Sequence, residues 1–541
     1  MVMLFYMRTY LPQLNAKRTG LAVTLFALVA STLPALPSNA RVVPDAGFGV
    51  RGKVVTDLFS DYNDANDVKI QSDGKIVVVG IVNESGSENM VITRYAANGE
   101  LDPEFGEDGV VTVDVNLNAD AAQALAIQED GKLVVVGATY PTSSNEGDFL
   151  VVRLQTNGDP DPTFGTNGIT TIDFSSRSDD AAAIAINPSD GSMLVAGVTF
   201  LDPVREVGIA KLDSAGSLVP TFGSSGKVQT DLGGDQIVMV SSINLDSSQR
   251  ILVAGSTAQL ADYEMFVARY DTTGVLDDSF GDSSTGILRR QYVTDPATAN
   301  LTIASGLTIQ RDGKILVTGY FMAGPTFASI FLSRFSASGA DDTTFANDGM
   351  KALNAGEEGS GTSIAVQRDG KILVGGYSNF EGKGAQATLI RFTRRGRIQR
   401  SFGTNGMFTV GSSDHWEYVN GMVRTSDGSV ILAGTIEGGD TDDAFLYRLK
   451  GSDLVLPAKP SVYIGSGLRL RPIARYLGLQ LPTGSTITAR VESSSSTICK
   501  IERGALRGLK RGRCVVRVTV TRSDDTSVSR RVTLITRRNF G

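Results

Sequence analysis

Three stretches decide how this chain is read: FGEDGVVTVD (residues 105–114), FGTNGITTID (164–173) and FGSSGKVQTD (222–231). Each begins with Phe-Gly, places a second Gly three residues later, and continues into a short β-branched run. Gly supplies the positive φ that tight turns need, and β-branched residues suit strands. A turn feeding a short strand is therefore restated at intervals of one small structural unit. Sixty Gly in 541 residues support many such turns, and an apolar fraction of 41% argues against bulk disorder. A chain of this length exceeds one ordinary core, so two or more domains are expected.

The Phe-Gly marker falls at Phe48, Phe105, Phe164, Phe222, Phe280, Phe345 (followed by Ala346) and Phe402, with spacings of 57, 59, 58, 58, 65 and 57. A second marker is a turn ahead of an apolar strand: Asp73-Gly74, Asp130-Gly131, Asp190-Gly191, Asp312-Gly313, Asp369-Gly370 and Asp427-Gly428, with Ser-Ser-Gln-Arg (247–250) standing in for it in the fourth unit. The third is a cation late in the next strand: Arg94, Arg153, Lys211, Arg269, Arg334, Arg391 and Arg448. Each marker counts seven units.

Every unit holds four strand candidates; in the second they are ALAIQ, KLVVVG, FLVVRL and GITTID. Glu-Asp-Gly between the first two is a hairpin signature. The VVV runs lack alternation, which predicts a strand buried on both faces. Four antiparallel strands repeated seven times predict an all-β chain whose body is a seven-bladed β-propeller. A β-solenoid is the alternative, although its repeats are usually shorter.

The recurring pattern Q-x-D-G-K-I-x-V-x-G … R-Y-x-x-N-G-x-L-D-x-x-F-G-x-x-G resembles the delta-60 repeat of bacterial exported proteins and spans residues 45–450. Departures are Ser248-Gln249, Val219 and Gln399 where other units carry Asp, and Ala346 for Gly. The layout is also similar to NHL propellers. The resemblance implies no catalytic activity. If the Phe-Gly strand is the outermost of the preceding blade, residues 52–57 must complete the last blade and close the ring; the competing phase has seven self-contained blades. The recurrent Phe would plug the groove between blades. Asp45, Asp102, Asp161, Asp277 and Asp342, three residues before it, suit Asx-turns and a bidentate contact with the recurrent Arg. A rival reading makes these acids metal ligands.

The termini differ in character. Arg8, Lys17 and Arg18, then LAVTLFALVA (21–30) and Ser38-Asn39-Ala40, read as a signal peptide over residues 1–40, with an uncleaved anchor as the alternative. Met3 and Met7 are alternative starts. No later run approaches the ~18 apolar residues of a membrane span. LPTGS at Leu481 resembles a sortase signal without its apolar tail and reads as a turn. Beyond a Pro-containing linker, residues 455–541 carry 17 Lys and Arg against 4 Asp and Glu, whereas residues 41–454 carry 31 against 54. An acidic propeller (41–454) is thus joined to a basic domain. That domain's short alternating strands predict a small β-sandwich, which resembles bacterial Ig-like modules ending in C-x-V … G-x-C-x-V-x-V-T-V. The resemblance places Cys499 and Cys514, the only cysteines, at its two Cys positions and implies that they pair, worth roughly 3 kcal/mol; reduced buried thiols are the alternative.

Catalytic motifs are sparse. The single histidine, His415, excludes a His-rich zinc site, and no G-x-S-x-G, P-loop or dinucleotide fingerprint occurs in a strand–helix context. His415 adjoins Trp416, the only tryptophan, and the pair could stack on a sugar ring or simply fill a gap. The variable loops, among them TYPTSSNEGD and YSNFEGKGAQ, fall on the face opposite the Asp-Gly turns, so that face and the channel mouth are the candidate ligand surface, with His415, Trp416, Asp179 and Asp180 on it. No cofactor is expected; a weak Ca2+ site from Asp61, Asp64 and Asp67, or from Asp179 and Asp180, is the exception. The function expected is that of an exported, monomeric, non-enzymatic binding protein. Its basic module would associate with a cell-envelope polymer or an extracellular protein or glycan, and not with nucleic acid. The alternative is a carbohydrate-active hydrolase or lyase using carboxylates at the channel mouth.

Overall fold

The computed structural model describes residues 42–541 apart from 59–61, 85–86, 116–118, 142–145, 175–177, 202–203, 234–236, 260–261, 293–299, 323–327, 347, 381–383, 412–414, 438–441, 451–461, 464–466, 471–472, 475–485, 503, 511, 522–526 and 538–541. The signal segment, the linker, LPTGS and Asp61 lie outside the described residues. Contacts divide the chain into two units, Met1–Lys450 and Gly451–Gly541.

The first unit is built of four-stranded antiparallel meanders. In the second repeat, Ala119–Ile127, Leu133–Tyr140, Asp148–Leu154 and Ile169–Ile172 pair in chain order. Leu133–Ala138 is buried throughout, the condition its unbroken apolar run requires. Equivalent meanders occupy residues 63–113, 180–230, 237–290, 301–354 and 358–410. The last sheet joins Trp416–Arg424, Val430–Glu437 and Asp443–Lys450 to a strand from the far end of the chain, Lys53–Thr56, which pairs antiparallel with Asp443–Lys450.

Successive sheets pack face to face through shared apolar cores. Val135, Leu150 and Val152 of the second repeat bury against Val79, Ile92 and Phe105 of the first. Ile431, Ala433 and Leu446 of the last sheet share a core with Ala65, Val68 and Val78 of the first. First strands of neighbouring meanders also touch directly, as when Asn420 Nδ2 donates to Ala65 O at 2.9 Å and Asn66 Nδ2 to Ala122 O at 2.8 Å. Each first strand carries a β-bulge, for example between Ala122 and Ala124. The bulge explains the Gly that ends KLVVVG: a Cβ on Gly137 would lie 1.8 Å from Ala121 O.

At the corners from Phe48 to Phe345, the residue after the Phe is fastened to the next meander. Gly106 N donates to Asn157 O at 2.9 Å, and Phe105 is fully buried against Gly158, where a Cβ would come within 3.1 Å of the ring. Arg94 stacks over Phe105 at 4.5 Å, and its Nη1 donates to Thr156 O. Asp102 forms the expected Asx-turn by accepting Glu104 N at 3.2 Å. Its contact with Arg94 is a single one, Nε to Oδ2 at 2.6 Å, rather than the bidentate pair expected, because the other guanidinium nitrogens serve backbone carbonyls. Arg153–Asp161, Arg269–Asp277 and Arg334–Asp342 repeat the pair at 2.8 Å each. These acids are thus occupied by the scaffold. In the fourth unit Gln249 takes positive φ where others have Gly, held by Asp246, which accepts Ser248 N and Arg250 N.

The second unit has two sheets. Val462–Tyr463, Ser527–Arg537, Gly512–Thr521 and Thr486–Val491 form one; Gly467–Arg469, Ala505–Gly508 and Cys499–Glu502 form the other. Cys499 and Cys514 are disulfide-bonded across the two sheets, with Cα atoms 5.9 Å apart and both side chains fully buried.

Burial by itself would raise Asp161, but hydrogen bonds from Lys132 and Thr163 and the Arg153 charge hold it well below the ordinary carboxylate range. Asp161→Ala strands the buried Arg153 without its counter-charge, so a loss of about 3–5 kcal/mol in urea unfolding is expected. A loss below about 1 kcal/mol would show that the pair is dispensable to the corner.

Candidate functional site: the variable mouth

The meander order brings four sets of strand ends to one face: the starts of first and third strands and the ends of second and fourth strands. That face carries tyrosines beside carboxylates. Tyr62 donates to Glu88, Tyr140 to Asp180, and Tyr447 to Glu417 at 3.2 Å. Tyr320 and Tyr377 lie in the field of Glu358, and Tyr377 meets Tyr418 edge-on at 4.9 Å. Trp416, 38% exposed, continues the arc 6.1 Å from Tyr418, with exposed His415 beside it. Burial, then the neighbouring carboxylate, pushes the Tyr62, Tyr140 and Tyr377 phenols upward, so these hydroxyls stay protonated donors. Burial and Glu437 raise Glu358.

Asp179 and Asp180, adjacent in sequence, point to different duties. Asp180 accepts from Tyr140. Asp179 is fully buried, and its Oδ2 accepts Phe174 N at 2.7 Å, latching the crossing between sheets. Asp120 does the same for Val115 N at 2.6 Å, and Thr302 for Tyr292 N at 3.1 Å. Glu417 holds the corresponding place in the last sheet. It accepts Lys53 Nζ at 2.7 Å, tying the N-terminal strand to the strand that begins at Trp416.

Asp148, Asp173 and Asp179 bring one carboxylate oxygen each within 4.8 Å of one another, a donor set that could hold a hard cation. The sequence reading missed Asp148 and Asp173, which reach the cluster from separate strand ends. It also misplaced Asp67: at a bulge, Asp67 binds Lys69 and accepts Leu125 N at 3.0 Å, a junction between repeats rather than a ligand. On the opposite face, grooves lined by Lys75, Arg94, Glu104 and Thr156, and by Arg334, Thr344 and Arg395, fall at the corners and are by-products of the corner fastening.

Burial first, then Asp173 and Asp148, raise Asp179 to about 7; burial and Asp114 raise Asp120 to about 6. The folded protein therefore keeps protons that the unfolded chain has released above about pH 4, so raising the pH toward 7 favours unfolding. The Asp102, Asp161, Asp277 and Asp342 carboxyls, held low, act in the opposite sense below about pH 4. Melting temperature is expected to fall progressively between about pH 4 and 7, with a shallower fall in Asp179→Asn, which keeps the acceptor for Phe174 N. An unchanged slope would remove Asp179 as its source.

Five segments, residues 71–105, 128–164, 250–280, 310–345 and 367–402, match the family described as domain of unknown function (DUF5122) beta-propeller. No curated protein matched the sequence. Among solved structures, the extracellular domain of a hybrid two component system from B. thetaiotaomicron is similar over 93% of this chain and 59% of its own, at 10% identity and a TM-score of 0.33. The PQQ-bound aldose sugar dehydrogenase of Streptomyces coelicolor is similar over 61% of this chain and 94% of its own (12% identity, TM-score 0.30), and the acylaminoacyl peptidase of Pyrococcus horikoshii over 86% and 58% (11%, 0.35). This chain spans about three-fifths of the length of the first of these. Among the described residues no helix is long and apolar enough to cross a membrane. Its repeated sheets and the family match make the chain an all-β β-propeller repeat protein.

Proposed function

We propose that this is an exported, non-enzymatic binding protein: a seven-bladed propeller of delta-60-type repeats presenting a recognition surface, with an Ig-like C-terminal module that associates with the cell envelope. The tyrosine–carboxylate arc at the variable mouth carries the reading. Phenol–carboxylate pairs, whose oxygens keep acceptor lone pairs, with the Tyr377–Tyr418–Trp416 aromatics beside them, suit the donating hydroxyls of a polyhydroxylated ligand such as a glycan. The seventh blade is the sheet completed by Lys53–Thr56, and the disulfide supports an oxidising compartment. The signal segment 1–40 would direct export, and no cofactor is needed.

The carboxylate trio is what favours the alternative, a carbohydrate-active hydrolase or lyase, since Asp179 is raised and flanked by two acids. Its complete burial and its hold on Phe174 N assign it to the crossing instead.

Trp416 is the chain's sole tryptophan and lies on the proposed surface, so its fluorescence reports on that surface alone. Soluble envelope glycans titrated into the full chain are expected to shift its emission, and Tyr418→Ala to weaken the response at least tenfold. Binding without any emission change would place recognition elsewhere; turnover of the glycan would favour the enzyme.

A further inference from the structure

The strand register of the second unit sets arginines side by side. Arg490 pairs with Arg517, and Arg517 in turn pairs with Arg531. Paired residues in a sheet share a face, so Arg490 and Arg517 lie side by side on adjacent strands. Cys514, Val516, Val518 and Val520 point into the core, which puts Arg513 and Arg517 on the opposite, outer face; Arg490, Arg513 and Arg517 are all exposed. Like charges in direct cross-strand register destabilise a sheet, and strands selected for stability alone would alternate their signs. Among the described residues, acids close at hand are few: Glu492 follows Arg490 at the strand end, while Glu502 is engaged by Lys500 and Arg507.

We infer that this outer face binds an acidic polysaccharide, a deepening that rests on the envelope association proposed above for the basic unit. Neighbouring arginines sit one strand spacing apart, about 4.8 Å, and Arg513 lies four residues, or roughly 13 Å, along the strand from Arg517. One small anion cannot span that array; a chain of anionic groups can. Guanidinium forks, unlike ammonium groups, match carboxylates and sulfates bidentately. Beside the arginines runs a parallel row of hydroxyls, Thr488, Thr519 and Ser529, in register with one another, with Thr519 and Ser529 hydrogen-bonded at 2.6 Å. Hydroxyls suit sugar rings. The strands 486–491, 512–521 and 527–537 contain no aromatic residue on which a nucleic-acid base could stack.

The test measures binding of the full chain to polygalacturonate, galacturonate and single-stranded DNA across a salt series. Wild type is expected to bind polygalacturonate more tightly than DNA and to ignore the monomer. Arg490→Gln combined with Arg517→Gln should weaken polymer binding at least tenfold and flatten the dependence of log affinity on log salt by about 1.5. Lys500→Gln, on the other sheet, should leave both unchanged. The double variant should also melt no lower than wild type, because it relieves repulsion; a lower melting point would assign the row a structural role. Polymer binding that survives the double variant overturns the face assignment while leaving the association of the basic unit intact. Failure of wild type to bind the polymer at low salt removes both. Tighter binding to DNA overturns the ligand class.

Discussion

The architecture depends on the corner where one repeat meets the next. A buried Phe lies against a Gly of the following repeat, the Gly after the Phe donates its N–H across the junction, and an Arg stacked on the same ring reaches a carbonyl of that repeat. The ring excludes water from the guanidinium, the Asp three residues before the Phe offsets its charge, and Gly alone permits so close a backbone approach. Sheets of four short strands have little stability alone; fastened corner to corner in this way they stack and bury both faces.

That corner was legible in the sequence because all its members recur at fixed spacing. The order of strands and the location of the hairpins were legible for the same reason. What could not be read was anything depending on register between strands. The Gly that ends KLVVVG, Gly137, recurs without a reason the sequence supplies; the reason is a carbonyl of the bulged neighbouring strand. Asp102 and its equivalents carry one contact to Arg instead of two because the guanidinium is shared with the next repeat, a partner distant in sequence.

The mouth was legible as a surface and much less so as a set of residues. Trp416 and Asp180 open first strands of their meanders, and the partners that give Asp180 and Asp179 their roles, Tyr140 and the Phe174 backbone, come from other strand ends. Asp148 ends the variable loop TYPTSSNEGD and Asp173 ends FGTNGITTID, but only the fold brings both to Asp179. The row of arginines in the second unit was visible as composition; only pairing of the strands turns it into a line of charge.

The strand Lys53–Thr56 has a consequence for how the chain is made. It pairs with Asp443–Lys450, and Asp45 near the start of the described chain meets Arg448 and Lys450 through the same kind of ion pair that elsewhere links residues eight apart. The segment synthesised first therefore waits for one synthesised nearly four hundred residues later. Until then its partner edge does not exist, and the first meander lacks the neighbour that covers Val68 and Val78. Local repeats can form as they emerge, but the final seam is a long-range closure, slow by its loop entropy and common to the whole unit. Cutting the chain just after Thr56 would release that seam while leaving the six meanders between residues 63 and 410 unbroken.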